Sequence, residues 1–248
     1  MNNQDFGIPL GTAVASAFTP LTLVAGLNSI RGQAARDLFL ERGVIVGNAA
    51  LAGLVNDLRV MKQSCVPSSK GFPVQMLAAD AFDDEACSLG LTIEGGTFID
   101  IDYVAPAAEA GQLIGGIVGT MALPDGVPAG QNTLDEYSFI FGLGENVMVG
   151  AGQWVLEAQG LRDILLGRIC IQAPAGWTVE SIEVAGAELF SGDGAVLASL
   201  LDARSTDTDG LTLGKLLSSG ESVVIKGQAL GAGTVTGGIY LSDVESLV

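Results

Sequence analysis

Histidine is absent from this chain. Its absence removes the commonest general base, the usual zinc ligand and the side chain that titrates near neutrality. Cysteine is scarce: Cys65, Cys87 and Cys170 are an odd number without CxxC spacing. That pattern fits separate thiols in a reducing compartment better than a disulfide framework or a metal knuckle. Basic residues are also few, 11 Lys and Arg against 28 Asp and Glu, for a formal net charge of −17. They are scattered, whereas a nucleic-acid backbone requires them clustered, so direct nucleic-acid binding is not expected. Charged residues make up only 16% of the chain, below the roughly 25% of an average domain. What remains is apolar and small: 48% hydrophobic residues and 35 glycines, with only 6% aromatics. Such a chain must cover apolar surface, and large shared interfaces are the simplest way to do so.

Residues 6–30 carry no charge, so a membrane span has to be weighed. Pro9, Pro20 and strand-like alternation speak against one. A signal peptide is not expected either, because Asp5 precedes the segment and no Lys or Arg occurs before Arg31. The better reading is the first strands of a β-domain.

The chain is written twice. Leu58-Arg-Val60 recurs as Ile182-Glu-Val184, Leu77-Ala-Ala79 as Leu201-Asp-Ala203, and Ile99-Asp-Ile101 as Val223-Val-Ile225, all at an offset of 124 residues. Upstream the offset is 126, where Ala35–Arg42 answers Leu161–Arg168, and downstream it is 122, where Gly115-Gly-Ile117 answers Gly237-Gly-Ile239. Loop insertions shift an offset in this way while the elements between them keep their lengths. A unit of this size is a whole small domain rather than a solenoid repeat. The expected division is 1–124, a Pro/Gly-rich linker over 125–135, and 136–248.

Within the second copy, short alternating or β-branched runs occupy 146–149, 153–158, 168–172, 178–184, 222–226 and 234–241. Turn signals separate them, including Ser191-Gly-Asp-Gly194 and Gly231-Ala-Gly233. Residues 196–201 read as a helical turn between strands. Short strands with frequent turns predict an all-β sandwich, and about eight elements per copy is the count of a jelly roll. An immunoglobulin-like sandwich is the competitor. The first copy repeats the pattern, with 10–27 set against 143–161 and an extra loop expected near 28–33.

Few residues offer chemistry. Asp83-Asp84-Glu85 and Asp207-Thr-Asp209 fall at matching places. Paired carboxylates can work on a glycoside, and hard oxygens can hold calcium. Asp207 and Asp209 are the calcium candidates, but Ser205 and Leu216 stand where a calcium loop needs ligands. Solvated loops are the plainer reading. The repeated pairs Arg36-Asp37 and Arg162-Asp163 read as a structural ion pair at an equivalent corner, or as a bridge between subunits. Gly115-Gly116 and Gly142-Leu-Gly144 precede no GK[ST], so they mark turns or tight strand approaches rather than a phosphate loop. Trp154 and Trp177 have no aromatic counterparts in the first copy and read as core or interface filling. No catalytic residue, cofactor or enzymatic activity is expected.

The tandem spacing, with Arg168-Ile-Cys-Ile-Gln-Ala-Pro-Ala-Gly-Trp177 leading into Val179-Glu-Ser-Ile-Glu-Val184, resembles the double jelly-roll major capsid proteins of tailless icosahedral viruses. The resemblance is one of architecture and spans nearly the whole chain. It implies two tandem jelly-roll-like sandwiches and homotrimers that act as pseudo-hexamers in an icosahedral shell. It also implies a place in the virion, assembled in the host cytoplasm, beside other capsid proteins such as a penton, with a viral membrane beneath. The alternatives are another phage structural subunit (tail tube, baseplate or decoration protein) or a two-module carbohydrate-binding or adhesive protein.

Overall fold

The computed structural model describes residues 13–17, 21–34, 38–47, 51–77, 91–106, 112–120, 140–202 and 212–241. These residues form an all-β protein of antiparallel sheets. The alternating pattern is what makes the strands: in Ser222–Ala229 every second residue, Val223, Ile225, Gly227 and Ala229, is buried, and those between are half-buried.

The first unit contains β1 (Ala13–Ala17), β2 (Leu21–Thr22), β3 (Gly26–Gln33), β4 (Leu38–Gly47), β5 (Leu54–Val60), β6 (Gln63–Ser64), β7 (Phe72–Pro73), a 3-10 turn at Val74–Leu77, β8 (Leu91–Ile93), β9 (Phe98–Ala105) and β10 (Gln112–Thr120). The second contains β11 (Ile140–Met148), β12 (Gly152–Gln159), β13 (Ile164–Gln172), β14 (Thr178–Val184), β15 (Ala187–Leu197), a 3-10 turn at Ala198–Leu201, β16 (Thr212–Leu217), β17 (Ser222–Ala229) and β18 (Gly233–Leu241). The linker expected over 125–135 lies outside the described residues.

In the second unit the sheets run β11-β18-β13-β16 and β12-β17-β14-β15. The first of its eight strands therefore pairs with the last, the second with the seventh, the third with the sixth and the fourth with the fifth. That is one long hairpin rolled up on itself, the jelly-roll order, and not the order of an immunoglobulin sandwich. The first unit repeats it as β1-β10-β4-β8 and β3-β9-β5-β6, with β2 also on β10 and β7 also on β5.

Register repeats along with order. Ile101 lies between Ile30 and Leu58, as Ile225 lies between Leu156 and Ile182. Gly116 faces Val44, and Gly238 faces Cys170 at the matching place. Even the β5–β6 turn is matched: Met61 and Lys62 have φ of 53° and 69°, as Ala185 and Gly186 have 51° and 75°. Two positive φ values in a two-residue hairpin loop are what a type I′ turn requires.

Three expectations need correction. Asn28–Gln33 is no extra loop, because all of β3 is paired to β9. The alignment of 10–27 with 143–161 created that surplus; register instead sets Ala17, opposite Gly116, against Gly142, opposite Gly238. Ser191-Gly-Asp-Gly194 lies inside β15 rather than ending a strand. Between the pairs Ser181–Ser191 and Val179–Val196 the β15 side carries extra residues, so they bulge and the strand continues.

The frame is shared, but its filling is not. Trp154 faces Gly227 across the β12–β17 ladder, while at the matching place Asn28 faces Tyr103. A Cβ on Gly227 would sit 2.3 Å from the Trp154 ring and 1.9 Å from the Thr178 carbonyl oxygen. Gly53, the match of Trp177, leaves room for the Tyr103 hydroxyl and donates its N–H to it at 2.9 Å. Aromatic bulk thus stands on β9 in one unit and on β12 and the segment before β14 in the other. Trp154 and Trp177 are buried core residues.

Lys62 holds a positive φ at a cost that its match Gly186 avoids. Lys62→Gly is expected to raise stability by about 1 kcal/mol, read from urea unfolding. An unchanged or lowered midpoint would show that the left-handed backbone at residue 62 carries no such cost.

Candidate functional site at the seam between the units

The fifth strand is where the two copies part. In the second unit β15 is one bulged strand, but in the first it is broken into β6 and β7. Pro67 lies in the break; without an N–H it cannot continue a ladder. Cys65 still donates to the Leu58 carbonyl of β5, and the residues after it, 67–71, cross to the second unit and pair there.

Ser68 bridges to Gly160 and Lys70 to Gly142 in antiparallel fashion. The Ser69 N–H donates to the Gln159 carbonyl at 2.9 Å, the Leu161 N–H to the Pro67 carbonyl at 2.9 Å, and the Gly144 N–H to the Gly71 carbonyl at 2.8 Å. Side chains add to this, since the hydroxyls of Ser68 and Ser69 accept from the N–H groups of Gly142 and Gln159 at 2.7 and 3.0 Å. Backbone that would be orphaned by leaving a sheet is thereby satisfied across the seam.

Two glycines make the approach possible. A Cβ on Gly142 would meet the Lys70 carbonyl oxygen at 2.1 Å and that of Gly71 at 2.4 Å. One on Gly238 would meet the Met76 sulfur at 2.6 Å and the Phe72 Cβ at 3.2 Å. Phe72 and Met76 are fully buried, and the Tyr240 hydroxyl donates to the Met76 carbonyl at 3.0 Å. Ile140, Cys170 and Tyr240 of the second unit accordingly belong to the apolar core of the first. β18 is buried on both faces as a result.

Arg162 and Asp163 both lie at the corner leading into the seam. Arg162 donates from Nη2 to the Ser64 carbonyl of the first unit at 3.3 Å. The Asp163 carboxylate accepts from the Ser219 N–H at 2.8 Å and fastens the corner to the turn before β17. Polar contacts continue outward over the first unit: Ser64 donates to Asp57 at 2.6 Å, and Arg59 pairs with Asp57 at 3.1 Å and Asp102 at 2.6 Å. Arg31 pairs with Asp100 and lies 5.1 Å from the Phe98 ring centre. The hydrogen bond from Arg59 to Asp102 raises the Arg59 pKa, as the one to Asp100 raises that of Arg31. These pairs are part-buried: Arg31 is exposed over an almost wholly buried Asp100 carboxylate, and Arg59, Asp57 and Asp102 are half-buried.

Arg36, Asp37, Asp83, Asp84, Glu85, Asp207 and Asp209 lie outside the described residues. Among the described residues no three His, Cys, Asp or Glu groups stand together as metal ligands. No helix among them is long and apolar enough to cross a membrane. Burial pushes the Cys65 thiol up to about 12, so it stays protonated at neutral pH and is no nucleophile. A cleft of about 810 Å³ opens along the seam, with Lys70, Glu145 and Glu157 on its walls. Its mixed charge and open form set no converging chemical groups on one point.

The docking segment itself has a weak sequence signal. Gly71-Phe-Pro-Val-Gln-Met-Leu77 is an apolar run where a strand connection would be polar, and it is wholly buried. Comparison with protein-family models and with curated proteins finds no match.

Gly142→Ala is expected to force the Lys70–Gly71 backbone away and uncouple the units. Calorimetry should resolve two unfolding transitions in the variant against one in the parent. A single transition at the parent temperature would show that the seam tolerates the added methyl.

Proposed function

We propose that this chain is a structural subunit that self-assembles into an icosahedral shell, the major capsid protein of a tailless virus, with trimers as the pseudo-hexameric building block. The observation that supports it best is the pair of jelly rolls with one strand order and one register, locked side by side by a seam made within the chain. Two like units in a fixed relation turn three chains into six similar lateral faces, so near-sixfold packing follows from threefold symmetry. The sparse charge and abundant Gly and Ala favour close lateral packing. A coat that need not touch its genome tolerates a net charge of −17. The differing core fillings also fit this role, since two copies facing different neighbours keep a common frame while their contents diverge.

Electron microscopy of the purified protein, with sedimentation at increasing concentration, tests the reading. Trimers that tile into curved shells are the expected outcome. A chain that stays monomeric at high concentration, or that forms sixfold rings stacked into open tubes, overturns it.

A further inference from the structure

The corner of the second unit that receives the crossing segment has a counterpart in the first, bonded in the same way. Gly160 donates to the Glu221 carbonyl at 2.9 Å and accepts from the Gly220 N–H at 2.8 Å. At the matching place Ala34 donates to the Thr97 carbonyl at 2.9 Å and accepts from the Gly96 N–H at 2.7 Å. The Gln159 side chain donates to the Gly220 carbonyl at 2.7 Å, as that of Gln33 donates to the Gly96 carbonyl at 2.9 Å. Since both backbone groups of Ala34 point inward, alternation points those of Gln33, Arg31, Ser29 and Leu27 outward. In the second unit Ser69 takes the outward groups of Gln159. In the first, β3 ends its sheet, and its outward groups have no partner among the described residues. Arg31 is the one charged residue of β3, and Asp100 and the Phe98 ring hold it back over the sheet, away from the edge. A clear edge of this kind is a template for a further strand.

The crossing segment has a counterpart as well. The turns Met61-Lys62 and Ala185-Gly186 coincide, and so do the pairs Leu54–Pro73 and Thr178–Leu197. Residues 64–73 and 188–197 are therefore of equal length and match one for one. On that match the crossing residues 68–71 correspond to 192–195. These make the bulge of β15: between the pairs Ser181–Ser191 and Val179–Val196 they stand against residue 180 alone. One residue cannot pair the backbone of all of them, so part of the bulge leaves the β14 ladder, as 68–71 leave that of β5. β15 ends its sheet, and the bulge lies on that free edge.

We propose that the β15 bulge of one chain pairs antiparallel with the Gln33–Ala34 end of β3 in a second copy, Gly192 opposite Ala34 and Asp193 opposite Gln33. This repeats between chains the pairing of Ser68 with Gly160 and of Ser69 with Gln159 within a chain. The two halves of the contact lie on different units, so it is head-to-tail and either closes into a ring or runs on. A count of three rests on the shell-forming reading above; the pairing of these edges does not. Its bonds are main-chain bonds, which places the test on backbone groups rather than on side chains.

Two variants of the full-length chain separate edge from side chain. Gln33→Pro deletes the outward N–H and sets a ring on the edge, leaving the inward bonds of β3 to β9 in place. Gln33→Ala deletes only the side-chain bond to Gly96. Sedimentation should show self-association weakened about tenfold or more in Gln33→Pro and parent-like in Gln33→Ala, with the two variants melting together. A second measurement does not depend on how well the proline is tolerated. Chains carrying Gln33→Cys, co-expressed with chains carrying Asp193→Cys and mildly oxidised, should give disulfide-linked one-to-one dimers. Leu230→Cys, at an exposed leucine on the β17–β18 turn, should give none in place of Asp193→Cys. If the parent trimerises but Gln33→Pro associates as well as Gln33→Ala, or the Gln33–Asp193 cross-link does not form, the pairing is wrong while the shell-forming reading stands. A parent that is monomeric at every concentration overturns both.

Discussion

The Lys70–Gly71 backbone lies closer to Gly142 than any side chain at position 142 would allow, and the relation between the two jelly rolls depends on that approach. Pro67 sits in the interruption of the first unit's fifth strand, and the freed backbone then has to find partners elsewhere. It finds them on Gly142, Gly144, Gln159 and Leu161. Phe72 and Met76 follow it onto Gly238 and carry Tyr240 and Cys170 into the first unit's core. Missing side chains on one surface and a missing N–H on the other thus turn two domains into one body. Hydrogen bonds in the seam offset the cost of leaving a sheet, and apolar burial adds the net attraction.

The two units solve one packing problem in two ways. Tyr103 on β9 occupies the interior of the first with Asn28 and Gly53 as its neighbours, while Trp154 and Trp177 occupy the second and leave Gly227 bare. Since bulk moved between facing strands rather than vanishing, both interiors stay filled and both frames keep the same register. Asn28 is held by its own local turn, accepting from the Val24 N–H and donating to the Val24 and Gly26 carbonyls. A polar residue can therefore stand where a tryptophan stands in the other copy.

Much of the frame was legible in the residues. Offsets of 124, 126 and 122 coincide with the register of the strands, because each conserves an alternation that a one-residue slip would turn inside out. Thr178–Val184 was placed to the residue, and the helical turn within 196–201 is the 3-10 turn Ala198–Leu201. The glycine pairs were read as turns or tight approaches, and Gly142 makes such an approach. What could not be read was the partner. Nothing local in Ser191-Gly-Asp-Gly194 separates a bulge from a hairpin loop, and nothing in Pro67–Gly71 announces that the strand will leave its own sheet. The second outcome is decided by a surface more than 70 residues away in sequence. Arg162 shows the same limit: nothing in its repeat announces the hydrogen bond that it donates to Ser64 across the seam.

Native-state hydrogen exchange at the Ser69, Gly144 and Leu161 amides tests the central claim most directly, because each of these N–H groups donates across the seam. If the seam makes the two units one cooperative body, these amides exchange at the same opening free energy as Ile225 in the second core. Exchange of the three at a much lower free energy, with Ile225 still protected, would mean that the jelly rolls part readily and that the fixed relation between them is not a property of the folded chain.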